Sequence, residues 1–210
     1  MERRLTTIVA LDVVGYSRLM AADETGTLAR LKANREELIE PKIAEYRGRV
    51  VKLMGDGTLL EFGSVVDAVN FASDVQHAMA EQIAEVPDDR RITLRIGINI
   101  GDIIVEGEDI YGDGVNVASR LEGLAEPGGI CVARSVYDQV KGKVNLVFED
   151  AGAREVKNLP EPVQVFRAML GMTGDEVLAT AFERSIGLDF SVPDYPSIAV
   201  LPFTVMSTDP

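Results

Sequence analysis

Two aspartates lie in or between segments rich in apolar residues, where a charged side chain is uncommon. Asp12 lies near the end of the β-like run LTTIVALDVV, and Asp56 lies between two glycines in VKLMGDGTLLEF. A carboxylate is costly to bury unless it is paired or binds a cation, and two close carboxylates repel each other unless positive charge separates them. If the first strand and the hairpin place both side chains at one edge of a sheet, the pair predicts a divalent-metal site.

Each aspartate also has an ordinary structural interpretation. A Gly-Asp-Gly turn between hydrophobic segments is common in hairpins, because glycine supplies positive φ and aspartate tolerates turn geometry. Asp12 alone could cap the turn that follows its strand. The two together favour metal binding, since Mg²⁺ takes one or two carboxylates plus substrate phosphate oxygens.

A second polar pair lies in EDIYGDGVNVASRLEGLA, which spans positions 108–125. Two glycines start a predicted helix on which Asn116 and Arg120 fall four residues apart, and therefore on one face. Such a pair usually belongs to a solvated helix face. The neighbouring valines, alanine and leucine leave little of this helix polar, so the pattern favours a functional role for both residues.

The elements that must position these residues alternate between strand-like and helix-like patterns. Their order predicts an α+β sandwich of ferredoxin-like βαββαβ topology with additional C-terminal strands. The individual predictions are a strand over LTTIVALDVV, a long helix over 24–46 interrupted at Pro41, a hairpin around 55–57, a helix capped by Ser64, a long strand or strand pair in RITLRIGINIGDIIVEG, a helix over 112–124, the strand GICVA, the short helix SVYDQV, and strands within 145–170.

The amino-acid composition and net charge limit the kinds of partner that the chain can bind. The chain has 210 residues and a formal net charge of −13, which argues against nucleic acid, because non-specific affinity for phosphates depends on cationic contacts. No apolar run approaches the roughly 18 residues that a membrane-spanning helix needs. The single cysteine, Cys131, excludes an internal disulfide framework and fits a reducing cytosol. We therefore expect a cytoplasmic protein with no nucleic-acid or membrane partner.

Five segments together resemble the catalytic domain of the class III nucleotidyl cyclases. In chain order they are LDVVGYS, VKLMGDG, LRIGINIGD, DIYGDGVNVASRL and EVKNLPEPVQVF. The resemblance covers roughly residues 5–170, and the set is far more specific than any single motif. It implies a ferredoxin-like domain that pairs head to tail with a second copy, with active sites at the interface and two divalent cations, Mg²⁺ or Mn²⁺, at each site.

The resemblance also implies roles for individual side chains. In this family the nucleotide's own 3′-hydroxyl attacks the α-phosphorus and expels pyrophosphate, so no histidine base is required. The matching positions are the metal-binding Asp12 and Asp56, the base-reading Lys52 and Asp109, the ribose and transition-state residues Asn116 and Arg120, and the triphosphate-binding Lys157. The metal aspartates of one subunit face the other five residues of its partner, so a homodimer would form two symmetric sites.

The base-reading pair favours ATP as the substrate. Adenine presents an amino donor and a ring acceptor, which complement a carboxylate and an ammonium, whereas guanine reverses that polarity. The expected function is an adenylate cyclase that makes cyclic AMP in intracellular signalling. The alternatives are a guanylate cyclase, a non-catalytic dimerisation or nucleotide-sensing module of a multidomain regulator, and a diguanylate cyclase, whose Gly-Gly-acid-Glu-Phe turn is absent from MGDGTLLEF.

The pattern changes after the last predicted strand. We expect the catalytic domain to occupy residues 1–170 and a turn-rich linker to occupy 171–196. The apolar run SIAVLPF then has little to pair with inside the chain. Residues 197–210 are therefore expected to begin a following domain, which would be regulatory by analogy with multidomain bacterial cyclases.

Overall fold

The computed structural model describes residues 2–83, 86–87, 90–107, 109–155 and 162–171. The strands are β1 (Glu2–Val13), β2 (Gly48–Met54), β3 (Gly57–Phe62), β4 (Leu94–Glu106), β5 (Asp109–Tyr111), β6 (Ile130–Ala133), β7 (Val147–Arg154) and β8 (Val163–Met169). The α-helices are α1 (Tyr16–Ala22), α2 (Glu24–Asn34), α3 (Glu40–Glu45), α4 (Val65–Ile83), α5 (Asp113–Leu124) and α6 (Arg134–Val140). Within these residues, no helix is both long and apolar enough to cross a bilayer.

The described strands form one sheet in the order β2-β3-β1-β4-β6-β8-β7, with β5 paired to β4. Strand β1 is antiparallel to both β3 and β4, and β6 adds parallel to β4. The order β2-β3-β1-β4, with helices after β1 and after β3, is ferredoxin-like. The predicted α+β sandwich with additional C-terminal strands is therefore confirmed.

The sheet is covered on both faces. Val9, Leu11 and Val13 of β1 enter the main core with residues of α1, α3, α4 and α6, whereas Ile8 and Ala10 pack on the other face with α5. Side chains alternate between the two faces along a strand. The next residue in the second series is Asp12, so the predicted metal ligand lies on the α5 face.

The predicted helix over 24–46 consists of α2, a π-helical turn (Arg35–Ile39) and α3. Pro41 follows this turn closely, and Asn34, Ile39 and Glu40 all keep right-handed helical backbone. The proline therefore lies within a continuous helix, where the widened turn accommodates its ring and its missing N–H. The interruption is thus a widened turn immediately before the proline rather than a break. The predicted cap of the next helix is also present, because the Asp67 N–H donates to Ser64 Oγ at 3.2 Å.

Helix α5 lies unusually close to β4. A Cβ at Gly97 would overlap the backbone of Ala118 and Glu122 on α5. In the first turn of the helix, a Cβ at Gly114 would lie 3.1 Å from Gly101 Cα. Glycines on both elements therefore set the height of α5 above the sheet, and with it the position of every side chain that α5 carries.

Candidate active site

Asp12 is held by an arginine on the neighbouring strand. The β1–β4 register pairs Asp12 with Arg95, and Arg95 Nη2 donates to Asp12 Oδ2 at 2.7 Å. The Asp12 side chain retains 23% of its exposure, so it remains accessible to a ligand. The hydrogen bond to Asp12, together with the charges of Glu122 and Asp56, raises the pKa of Arg95.

The turn that carries Asp56 lies beside Asp12. Met54 pairs with Gly57 across the hairpin, leaving a two-residue turn of Gly55 and Asp56. Gly55 has φ 65°, as the first loop residue of a type II′ hairpin requires. Asp12 Oδ1 lies 3.9 Å from the place that a Cβ would take on Gly57. The structure therefore brings the two predicted metal ligands to the same end of the sheet.

Glu122 on α5 completes this group, and the sequence interpretation missed it. Its Oε1 lies 3.1 Å from Arg95 Nε, although the two buried atoms are not aligned as a hydrogen bond. Burial, together with the negative charge of Asp12, raises the pKa of Glu122 to about 7. The signal for Glu122 was an acid within a largely apolar helix. Its partner was unpredictable without the register of β4.

The donor set at this end of the sheet fits a hard divalent cation. Carboxylate oxygens are the ligands that Mg²⁺ prefers, and it commonly takes one or two of them with substrate phosphates. Asp12 and Asp56 are the two predicted ligands, and among the described residues no group of three His, Cys, Asp or Glu side chains is placed to hold a metal ion. The remaining ligands would come from water and nucleotide.

The predicted base-reading residues contact each other directly. The β2–β3 pairing shifts by one residue between Val50 and Lys52, and this β-bulge changes the direction of the Lys52 side chain. Lys52 Nζ donates to Asp109 Oδ2 at 2.6 Å. This hydrogen bond raises the pKa of Lys52 and lowers that of Asp109. Two further donors reach the carboxylate: the Tyr111 hydroxyl at 3.2 Å and the Ile110 N–H at 2.9 Å.

The two predicted residues of α5 lie on the solvent side of that helix. Asn116 and Arg120 are both exposed on α5, rather than in apolar surroundings as the sequence pattern suggested. Neither has a hydrogen bond or ion pair with another of the described residues. Lys157 lies outside the described residues. Within one chain, the structure thus unites Asp12 with Asp56 and Lys52 with Asp109, and leaves the α5 pair facing outward.

Comparison with known proteins identifies the family. The family model described as the adenylate and guanylate cyclase catalytic domain matches residues 3–168. The chain belongs to the class III nucleotidyl cyclases. The cyclase is 46% identical over 209 residues to putative adenylate cyclase 3 of Rhizobium meliloti strain 1021, a match that covers 100% of this chain and 35% of the relative. It therefore spans about a third of that relative's length.

Solved structures agree with this assignment. The cyclase superposes on the adenylate/guanylate cyclase/hydrolase from Silicibacter pomeroyi with a TM-score of 0.77 and 46% identity, over 80% of this chain and 98% of that chain. The adenylyl cyclase CyaB from P. aeruginosa gives a TM-score of 0.68 at 24% identity, over 82% and 98% of the two chains, and shares the fold. The described residues therefore form a class III adenylate or guanylate cyclase catalytic domain.

Proposed function

We propose that this cyclase domain converts ATP to 3′,5′-cyclic AMP and pyrophosphate. The 2.6 Å contact between Lys52 Nζ and Asp109 Oδ2 supports ATP most directly. An ammonium beside a carboxylate offers a donor and an acceptor, which complement the ring nitrogen and 6-amino group of adenine. Guanine would leave both groups unpaired, which a site of this kind rejects strongly. The name of the relative, putative adenylate cyclase 3, agrees with this choice.

The proposed site is shared between two copies of the chain arranged head to tail. Asp12 and Asp56 of one subunit would face Lys52, Asp109 and the α5 pair of the other, as the resemblance to the family implies. The exposure of Asn116 and Arg120 supports this arrangement, because side chains that act across an interface must point away from their own domain. A two-fold axis would give two equivalent sites.

In the reaction, the 3′-oxygen of ATP forms a bond to the α-phosphorus as the bond to the bridging oxygen breaks. Pyrophosphate leaves, and the hydroxyl proton is released. Asp12 and Asp56 would hold two divalent cations, Mg²⁺ or Mn²⁺, which lower the pKa of the attacking hydroxyl and neutralise the leaving phosphates. Arg120 would neutralise charge that develops on the transferring group, Asn116 would orient the ribose, and Lys157 would hold the triphosphate.

The biological setting follows from the product. Cyclic AMP would serve intracellular signalling, and the cytoplasm is the expected compartment because the single cysteine fits reducing conditions. The relative's greater length supports the proposal that a regulatory domain accompanies the catalytic domain in the whole protein.

The direct test is an assay of purified protein over a range of concentrations, with ATP or GTP and with Mg²⁺ or Mn²⁺. We expect cyclic AMP and pyrophosphate in equal amounts, little cyclic GMP, and a specific rate that rises with protein concentration as dimers form. Preferential formation of cyclic GMP would reverse the choice of base. No cyclic product from folded, dimeric protein would favour a non-catalytic module.

Complementation tests the shared site. Asp12→Ala and Arg120→Ala should each be inactive, because each removes one side of both sites. In mixed dimers, one site carries both lesions and the other carries none, so an equal mixture should recover about a quarter of the wild-type activity. If mixed dimers form and no activity returns, the site is not shared in this way.

A further inference from the structure

Asp109 is held by more than its lysine partner. Lys52 Nζ and the Tyr111 hydroxyl both donate to Oδ2, at 2.6 and 3.2 Å, and the Ile110 N–H donates to Oδ1 at 2.9 Å. We call Lys52, Asp109 and Tyr111 the strand triad. The base-reading pair explains Lys52 and Asp109, but it gives no role to Tyr111.

Packing does not account for the position of the Tyr111 hydroxyl. The residue is 48% exposed, so the surrounding core does not fix its ring. Tyr111 and Asp109 are two positions apart on β5, and residues at that spacing point to the same face of a strand. The phenol therefore reaches the carboxylate along the strand, and the hydrogen bond to Asp109 raises the pKa of Tyr111.

Three donors determine what the carboxylate can still bind. An ionised carboxylate has about four lone-pair sites and no donor. Two sites on Oδ2 and one on Oδ1 are filled, so about one acceptor site on Oδ1 remains for a ligand. An amino group can use that site, whereas a carbonyl oxygen such as guanine O6 meets only another acceptor.

Lys52 alone would leave this orientation loose. A lysine ammonium is a point charge on a flexible stem, which constrains the direction of its partner weakly. The Tyr111 side chain has only two rotatable bonds, so its hydroxyl approaches Oδ2 from a narrower range of directions than a lysine does, and the Ile110 N–H holds Oδ1 from the backbone. Donors on both oxygens together constrain the plane of the carboxylate.

We propose that Tyr111 is a positioning residue for base selection, which orients the free oxygen of Asp109 toward the 6-position of the purine. This inference rests on the proposed adenylate cyclase function. Without the hydroxyl, the carboxylate can turn away from a guanine carbonyl, and discrimination against GTP weakens. The effect acts through Asp109, because the hydroxyl itself need not touch the nucleotide.

The test compares Tyr111→Phe with wild type in kcat/KM for ATP and for GTP. The substitution removes only the hydroxyl. We expect the ATP:GTP ratio of kcat/KM to fall by about three- to tenfold, mainly through a higher KM for ATP, with kcat changed by less than about twofold. An unchanged ratio in folded Tyr111→Phe would overturn the inference and leave the proposed function intact.

The chain supplies a matched control in a second lysine-aspartate-tyrosine group, the helix triad of Lys42, Asp74 and Tyr46. Tyr46 donates to Asp74 Oδ2 at 2.7 Å, and Lys42 donates to the same oxygen at 3.2 Å. This group joins α3 to α4, away from the site. Tyr46→Phe should leave the ATP:GTP ratio unchanged. If Tyr46→Phe lowers the ATP:GTP ratio of kcat/KM as much as Tyr111→Phe does, the effect comes from a general loss of rigidity in the fold, and the inference is overturned.

A binding measurement separates this inference from the proposed function. Calorimetry with 3′-deoxy-ATP and 3′-deoxy-GTP, which lack the attacking hydroxyl, reports selectivity without turnover. If Tyr111→Phe narrows the ratio of affinities in a protein that makes no cyclic nucleotide, the inference holds and the catalytic proposal fails. If folded wild-type protein binds neither nucleotide, both fail.

Discussion

The helix triad and the strand triad contain the same three residue types in two different settings. In each, lysine and tyrosine donate to a single oxygen of the aspartate. The helix triad ties α3 to α4, and its tyrosine also packs against the main core. The strand triad lies at the end of β2 and β5, with its lysine and tyrosine exposed. The same three residue types therefore occur both in a contact between helices and in the group that we propose for base recognition.

The pKa of the aspartate is lowered in both triads. Burial raises the pKa of Asp74, but the hydrogen bonds from Tyr46 and Lys42 outweigh it and leave that pKa below its ordinary value. In the strand triad, the hydrogen bond from Lys52 lowers the pKa of Asp109. What differs is the use of the remaining acceptor. Both carboxylates are partly exposed, with 41% of the Asp74 side chain and 26% of the Asp109 side chain accessible. Asp74 lies between α3 and α4, away from the candidate site, whereas the unfilled acceptor site of Asp109 lies beside Lys52, where we propose that the base binds.

The largest expected effect comes from neutralising the aspartate of each triad in turn. Asp109→Asn should lower kcat/KM for ATP by about 100-fold, because the acceptor for the 6-amino group loses its charge and fixed direction. Its free energy of unfolding should fall by less than about 1 kcal/mol, because the ion pair with Lys52, whose side chain is 47% exposed, is screened by solvent. Steady-state kinetics and denaturant unfolding measure the two quantities.

Asp74→Asn is the matched substitution and should behave in the opposite way. We expect a loss of about 1–2 kcal/mol in unfolding free energy, because hydrogen bonds to a charged group are lost, with kcat/KM within about twofold of wild type. If Asp74→Asn impairs ATP use as much as Asp109→Asn does, the functional distinction between the triads is wrong.

A smaller effect is expected from Gly97→Ala, which tests how strongly the site face depends on close packing. The new methyl group would overlap the backbone of α5, so the helix must shift and carry Asn116 and Arg120 with it. We expect kcat to fall by about tenfold and the unfolding free energy to fall by about 1–3 kcal/mol. Activity assays and thermal unfolding would measure both changes.

Gly123→Ala provides the control on the same helix. A Cβ there meets nothing within 4 Å, so alanine should stabilise the helix by about 0.5–1 kcal/mol and leave activity unchanged. A loss of activity in Gly123→Ala similar to that in Gly97→Ala would show that α5 is sensitive to substitution in general, and not to its contact with β4.

The third prediction compares how Glu122 and Asp74 make the stability of the fold depend on pH. The pKa of Glu122 is about 7 in the fold against an ordinary 4.5, so between these values the folded protein binds more protons than the unfolded chain. Stability should therefore fall as pH rises from about 4.5 to about 7, by about 1–3 kcal/mol. The opposite sign applies to Asp74, whose contribution is lost as pH falls through its lowered pKa.

Glu122→Gln should flatten the decline between pH 5 and pH 8, because the amide has no proton to release. Denaturant unfolding in metal-free buffer at several pH values would measure it, with Asp74→Asn as the comparison. An equally steep decline in Glu122→Gln would mean that another group carries the titration.

The smallest expected effect is that of Tyr46→Phe. Loss of the hydrogen bond to Asp74 should cost about 1 kcal/mol of unfolding free energy, and nucleotide selectivity should not change. Thermal unfolding would detect the loss. If the free energy of unfolding does not change, the Tyr46 hydrogen bond adds no stability, and Lys42 alone holds Asp74.

Much of the fold could be predicted because its determinants are local. Strand β1, the glycine hairpin, the Ser64 cap and helix α5 all follow from periodicity, turn residues and capping chemistry over a few positions. Even the interruption before Pro41 has a local cause. Its form, a π-helical turn, was not predictable, because a helix can accommodate a proline by a kink, a break or a π-bulge.

The site was only partly predictable, because its contacts depend on register. Asp12 and Asp56 were identified by charge in apolar surroundings, but the Asp12–Arg95 contact requires two strands to pair at one particular offset. The β-bulge that changes the direction of Lys52 likewise depends on the pairing of β2 with β3 and not on the local sequence. The roles of the site residues remain predictions, and Lys157 lies outside the described residues.

The central position of β1 has a consequence for the order in which the protein is made. Arg95 follows its partner Asp12 by 83 residues, which corresponds to about 4 to 17 seconds at ordinary rates of translation. During that interval β1, which carries Asp12, lacks its β4 neighbour. The hairpin of β2 and β3 is synthesised before β4. We therefore infer that β3 pairs with one edge of β1 in the growing chain before β4 pairs with the other edge.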